Sequence, residues 1–211
     1  MKPLRFVAGV IVLASFGALL LSGCSSDCGQ VAEERDQLKK DVEALSATVA
    51  VQASAMESMR EAHESLLARF ASEIESNDLR IQLLVDGVEL VLPSDVLYES
   101  GSARATMSGS GRETAEDIAE FLANTDYFVS VIGHTDNEAP SAELADTYAT
   151  NWDLAGARAV NAVKFLCDRG VDPTRITAVS RGEFDPVASN DTPEGRAMNR
   201  RIQIILRDIS K

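Results

Sequence analysis

Apolar residues recur along this chain in three successive rhythms. Phe6 to Leu21 is an unbroken apolar run without a charge. From Val31 the apolar positions follow a heptad. With Leu38 as a d position, the a sites are Arg35, Val42, Val49, Met56, His63 and Phe70, and the d sites are Val31, Leu38, Leu45, Gln52, Met59, Leu66 and Glu73. Nine of these thirteen are apolar, and no Pro or Gly interrupts Val31 to Asp78. That spacing predicts a long helix and a coiled-coil seam, with Arg35, Gln52 and His63 as register-setting polar sites. From Leu79 the rhythm shortens. Arg80 to Val85 and Val88 to Leu92 are β-rich runs joined by Asp86-Gly87, a hairpin signal. Gly111 to Ala123 has Ala115, Ile118, Ala119 and Leu122 at helical spacing, and Phe128 to Ile132 reads as a strand. A second helix starts near Asn151, behind the capping pair Thr150 and Asp153, and ends before Gly170. Ile176 to Val179 and Ile202 to Leu206 are further strands. The predicted fold is an α/β (α+β) two-layer sandwich, in which a β-hairpin is followed by α, β, α, β, β and both helices cover one sheet face.

The rhythms also divide the chain. Lys2 and Arg5 precede the first apolar run, and Leu21-Ser22-Gly23-Cys24 follows it. This resembles a bacterial lipoprotein signal, which implies removal of residues 1–23 and acylation of Cys24. Ser25, rather than Asp, follows that cysteine and points to the outer membrane. The alternatives are a plain secretory signal or a short membrane anchor, although the run is short for a span of about 20 residues. Residues 24–30 read as a flexible tether, 31–78 as a helical spacer that pairs with a second copy or folds back on the domain, and 79–211 as the globular domain. A homodimer through residues 31–73 is the expected use of the seam. Cys28 either bridges two chains or stays a free thiol, and Cys167 lies at an apolar helix position.

Composition narrows the function. The 211 residues carry a formal charge of −13, which excludes nucleic acid as a partner. The two histidines are too few and too isolated for a metal or hydrolytic centre, so no enzyme activity, metal or cofactor is expected. Candidate chemistry concentrates between Ile132 and Val160. Asp136 lies at the carboxyl end of a strand, where α/β folds open a crevice. On the following helix, Asn151, Leu154 and Arg158 share a face bordering the apolar arc of Trp152, Ala155, Ala159, Ala162, Val163, Leu166 and Cys167. That places Arg158 at a rim, its stem packed and its guanidinium toward the helix start. One acid and one base so placed suit a free amino-acid group, the ammonium on Asp136 and the carboxylate on Arg158. They equally suit a pair made with each other or with the backbone.

Three motifs in order decide between these. Gly133-His134-Thr135-Asp136-Asn137, then Asn151-x-x-Leu154-x-x-x-Arg158-Ala159, then Gly195-Arg196-Ala197-Met198-Asn199-Arg200-Arg201 resemble the OmpA-like peptidoglycan-binding domain over roughly Leu79 to Arg207. The long segment Glu138 to Thr150, the Asn151-Trp152 pair and Ser100-Gly101-Ser102-Ala103 are more similar to the MotB branch. The resemblance implies a non-covalent peptidoglycan binder that takes the diaminopimelate of the stem peptide. Asp136 and Arg158 would hold it, Asn151 and Leu154 would line the pocket, Arg200 would complete it, and Thr135 would act through its backbone. Glu99, Gly101 and Glu138 depart from the pattern, and the charge of Glu138 is expected to weaken affinity. With the lipoprotein signal, the expected protein is an outer-membrane lipoprotein facing the periplasm and tethering the envelope to the wall. Alternatives are a flagellar-stator-like or secretion-apparatus wall anchor, or a scaffold recruiting a partner through the coiled coil.

Overall fold

The computed structural model describes residues 27–98 and 110–208. The proposed signal 1–23, Cys24, Glu99 and the Ser100 to Ala103 motif lie outside the described residues. The elements in chain order are helix α1 (Asp27–Arg69), α2 (Ala71–Glu75), β1 (Arg80–Leu83), β2 (Val88–Pro93), α3 (Ser94–Leu97), α4 (Ser110–Ala123), β3 (Phe128–His134), α5 (Ala142–Ala145), α6 (Asn151–Cys167), β4 (Ile176–Gly182), α7 (Pro193–Asn199) and β5 (Arg201–Arg207). Among the described residues no helix is long and apolar enough to cross a membrane.

The strands form one sheet in the order β1-β2-β5-β3-β4. β5 is antiparallel to both β2 and β3, while β3 and β4 run parallel across the α6 crossover. Alternation along the strands sends Leu90, Leu92, Val129, Val131, Ile202, Ile204 and Leu206 into the core, where they meet Ala115, Ile118, Ala119 and Leu122 of α4 and Ala159, Ala162 and Leu166 of α6. The predicted two-layer sandwich is therefore present, with β2 to β5 running one to three residues beyond the apolar runs, with β1 two residues shorter because Leu84 N–H already closes the turn onto Gly87 O, and with α3, α5 and α7 in addition. These three are short and bury few side chains, so no apolar period announces them.

Two features let α6 lie close on β3. Its start is fixed by the capping box between Thr150 and Asp153. At Gly133 any Cβ would come within 2.1 Å of the Ala155 carbonyl oxygen, so a side chain there would push the helix off the strand. α6 also corrects two expectations. Trp152 does not join the core arc, being 47% exposed. Arg158 does not sit at a rim, being only 6% exposed. At the first helical turn the arc has rotated past the sheet edge, which leaves Trp152 outside, while Tyr98 comes over Arg158 from the other side.

The chain divides into two units, Met1–Ala47 and Thr48–Lys211. The compact domain thus begins well before Leu79. Met59, Ala62, Leu66 and Phe70 belong to its main apolar core, with Leu66 and Phe70 fully buried. Arg69 reinforces this contact by pairing with Asp117, at 3.4 Å, and with Glu120 of α4, which hold its guanidinium pKa above the usual range. The expected continuous helix to Asp78 breaks at Phe70 (φ −108°, ψ 28°), where the buried ring turns the chain into α2. In the other unit, α1 already begins at Asp27, inside the stretch read as a flexible tether. Its heptad residues Val31, Leu38, Val42 and Leu45 are 56% to 69% exposed.

Candidate functional site

Sheet topology brings four chain segments to one end. β2, β3 and β4 finish there and β5 begins there, so Asp95 just after β2, Asp136 just after β3, Glu183 just after β4 and Arg200 just before β5 are neighbours in space though distant in sequence. The amino-terminal half of α6 lies over the same end, because α6 is pinned to β3 at Gly133.

Asp136 is the centre. It is 6% exposed, and a carboxylate so buried needs partners. Arg200 Nη1 donates to its Oδ2 at 2.8 Å, and the Glu138 backbone N–H donates to its Oδ1 at 3.2 Å. Arg200 also donates through Nη2 to Asp95 Oδ2 at 3.1 Å. Burial alone would lower the Arg200 pKa, but these two carboxylates outweigh it and the net direction is upward. A carboxylate has about four acceptor positions, so Asp136 retains capacity for an ammonium alongside Arg200.

Arg158 lies beside this group. The Tyr98 ring sits 5.7 Å from its guanidinium carbon, and the Tyr98 hydroxyl donates to the Arg158 carbonyl at 2.7 Å. Burial draws the pKa of Arg158 down, and Tyr98, Asp95 and Asp136 oppose that while Arg200 adds to it. Burial also raises the Tyr98 pKa, so the phenol stays neutral. A cation held this deep gains most from an anion that replaces lost water.

Asn151 bridges the loops. Its Nδ2 donates to the carbonyls of Glu138, at 2.9 Å, and Asp136, at 3.3 Å, and to the Glu183 carboxylate. Its Oδ1, like Thr135 Oγ1, is buried without a hydrogen-bond partner in the protein. Buried polar groups are nearly always paired, so these two atoms are exceptions in the segment that carries Asp136 and the start of α6. The Thr135 backbone N–H is already engaged by Gly182 O at 2.9 Å, so its expected backbone role toward a ligand is not open to that N–H. Leu154, 6% exposed, packs with Leu144 and Tyr148, and so anchors the segment between Glu138 and Thr150 over the site. Glu138 is turned to Arg196, with Nε 3.0 Å from its Oε1, which partly neutralises the charge expected to repel a ligand carboxylate.

Of the sequence-derived residues, Asp136, Asn151, Arg158 and Arg200 thus converge, and the salt bridge that forms is Asp136 with Arg200. Asp95, Tyr98 and Glu183 were not foreseen. Asp95 lies in the first turn of a four-residue helix and Glu183 in a turn, and neither has a spacing that marks it. His134 stands apart. It is 1% exposed, its Nε2 pairs with Gln203 Oε1 at 3.0 Å, and Gln203 donates on to Glu89. Burial and the nearby Arg201 lower its pKa to about 4, so the ring is a neutral link in a sheet network. Among the described residues no cluster of His, Cys, Asp and Glu could hold a metal ion.

Comparison with known proteins bears on the family and the fold. Residues 97–200 match the model of the OmpA family. A MotB-like protein of Desulfovibrio vulgaris superposes with a TM-score of 0.66 at 25% identity, covering 74% of this chain and 94% of that one. The cell wall anchor of the type VI secretion system of Pseudomonas aeruginosa superposes with a TM-score of 0.61 at 33% identity, covering 67% of this chain and 96% of that one. The probable lipoprotein YiaD of Escherichia coli is 31% identical over 140 residues, 66% of this chain and 60% of that protein. The chain spans 31% to 60% of the length of the curated relatives it matches.

Proposed function

The chain belongs to the OmpA family, with residues 97–200 as the matching segment, and from that premise we propose that it binds peptidoglycan non-covalently through the diaminopimelate of the stem peptide. The observation that carries this reading is the juxtaposition of a buried acid and a buried base, Asp136 and Arg158, at one end of the sheet. The free ammonium of diaminopimelate sits on Asp136 beside Arg200. Its carboxylate pairs with Arg158. Asn151 Oδ1 and Thr135 Oγ1 accept from remaining donors. Losing one partner of a desolvated charge pair costs about 2–5 kcal/mol. Arg158→Ala or Asp136→Ala is therefore expected to weaken co-sedimentation with purified sacculi at least tenfold while circular dichroism stays unchanged. Unaltered binding in both variants contradicts the reading.

The protein is further read as a lipoprotein anchored through acylated Cys24 in the outer membrane and facing the periplasm, a tether between membrane and wall. Likeness to a lipoprotein relative supports this. Palmitate incorporation that is lost in Cys24→Ala tests it. The likeness to a secretion-system wall anchor favours a second reading, in which the same grip holds a larger apparatus rather than the membrane itself. The exposed heptad residues support pairing of α1 with a second copy. In a parallel pair Glu34, at a g position, faces Lys39, at an e position, of the other chain, and Cys28 falls at an a position.

A further inference from the structure

Trp152 and Phe184 stack on one another beside the end of the sheet that carries the site, with ring centroids 5.5 Å apart and planes inclined by 27°. They nevertheless remain 47% and 67% exposed. Each is the chain neighbour of a cleft residue, Asn151 and Glu183, and those two are themselves hydrogen-bonded. The platform is built rather than incidental. Ser180 Oγ donates to the Trp152 carbonyl at 2.9 Å. Gly182, in the left-handed region at φ +54°, turns the chain so that Phe184 comes back over the indole, and a Cβ there would lie 3.4 Å from Trp152. A side chain at 182 would strain that turn.

We propose that Trp152 and Phe184 form a stacking subsite for a pyranose of the glycan strand, adjoining the peptide cleft. The inference rests on the stem-peptide reading of that cleft. A stem peptide is covalently attached to its sugar, so a peptide seated against Asp136 and Arg158 brings the glycan to the rim of the same site. The C–H face of a β-linked hexopyranose is apolar and flat, and matches an exposed ring face, while its hydroxyls meet polar groups at the edge such as the Glu183 carboxylate. The platform is expected to add roughly a three- to tenfold gain in affinity, up to about 1.4 kcal/mol.

Trp152 is the single tryptophan of the chain, so its emission reports on this subsite alone. The purified full-length protein in detergent is titrated, with affinity read by calorimetry in every variant and Trp152 emission followed in the wild type and Phe184→Ala, with three ligands: a free diaminopimelate stem peptide, a disaccharide muropeptide carrying the same peptide, and glycan strands stripped of peptide by an amidase. The muropeptide is expected to bind about three- to tenfold more tightly than the free peptide and to shift Trp152 emission. In Phe184→Ala and Trp152→Ala that advantage disappears, with free-peptide affinity unchanged. Equal affinity of peptide and muropeptide in the wild type, or an advantage that survives both substitutions, overturns the platform while leaving the peptide cleft standing. Emission shifts with stripped glycan but no peptide binding support the platform and overturn the cleft. Emission that responds to phospholipid vesicles and to no sugar overturns the glycan assignment.

Discussion

Along α1, Val31, Leu38, Val42, Leu45, Val49 and Met56 are 56% to 69% exposed, whereas at the end of the sheet Asp136 and Arg158 are each 6% exposed. A soluble chain ordinarily does the reverse, hiding aliphatic side chains and leaving charges in water. The two inversions differ in how the isolated chain meets them. The exposed stripe can still gain from burial of apolar area, about 25 cal/mol per Å². The buried charges have already lost their water, and Asp136 is held in compensation by Arg200 at 2.8 Å. The proposed function assigns each region a partner, an apolar helix face to the stripe and a ligand with two charges to the buried pair.

The comparison is sharpest inside α1 itself, since one heptad continues from the exposed stripe into the core. Leu66→Ala, at a fully buried position, is expected to cost about 2–5 kcal/mol of global stability, whereas Leu38→Ala on the exposed stripe should change the stability of the domain by under about 0.5 kcal/mol. Urea unfolding of both variants measures this, and comparable losses would erase the distinction between the two stretches.

A second buried polar group responds to pH. His134 titrates near 4 in the folded chain against about 6.5 when unfolded. Between these values the unfolded state binds the extra proton, so stability is full above about pH 6.5 and falls as pH drops toward 4. Between pH 7 and pH 5 this contributes a loss of about 2 kcal/mol. His134→Asn should flatten that part of the profile. An unchanged slope between pH 7 and 5 would show that other groups carry it.

The exposed stripe is expected to show smaller effects that depend on concentration. Leu38→Asp should raise the dissociation constant of a homodimer at least tenfold by sedimentation equilibrium, about 1.4 kcal/mol. In an oxidising buffer Cys28 should give a dimer on a non-reducing gel. A wild-type chain that stays monomeric to high concentration removes the coiled-coil reading. The smallest effect belongs to Glu138→Gln. The ion pair with Arg196 involves a carboxylate that is 65% exposed, so its loss should change sacculus binding by less than about fivefold.

What the sequence disclosed follows from how local each signal is. The sandwich was legible because hairpin, capping and strand signals are local, down to the Thr150 and Asp153 box. The acid and base of the cleft were legible as an ordered set of motifs. Their wiring was not. The salt bridge of Asp136 with Arg200 spans 64 residues of chain, and depends on β5 entering between β2 and β3. The burial of Arg158 depends on Tyr98 arriving from another segment. The heptad announced that a stripe would be covered but not by what, and so the step at Met59 to Phe70, where covering passes to the domain's own core, left no mark in the pattern. Trp152 reads as core on a helical wheel because the wheel does not show where the sheet ends.

The central claim is that the two buried charges grip the two charges of one amino-acid end. Calorimetry with a stem peptide ending in diaminopimelate, and with the same peptide ending in lysine, tests it most directly, since lysine keeps the ammonium and lacks the side-chain carboxylate. Wild-type protein should prefer the diaminopimelate peptide at least tenfold, Arg158→Ala should lose that preference, and Asp136→Ala should bind both peptides poorly. Equal affinity of the wild-type protein for the two peptides, or a preference that persists in Arg158→Ala, would contradict the account.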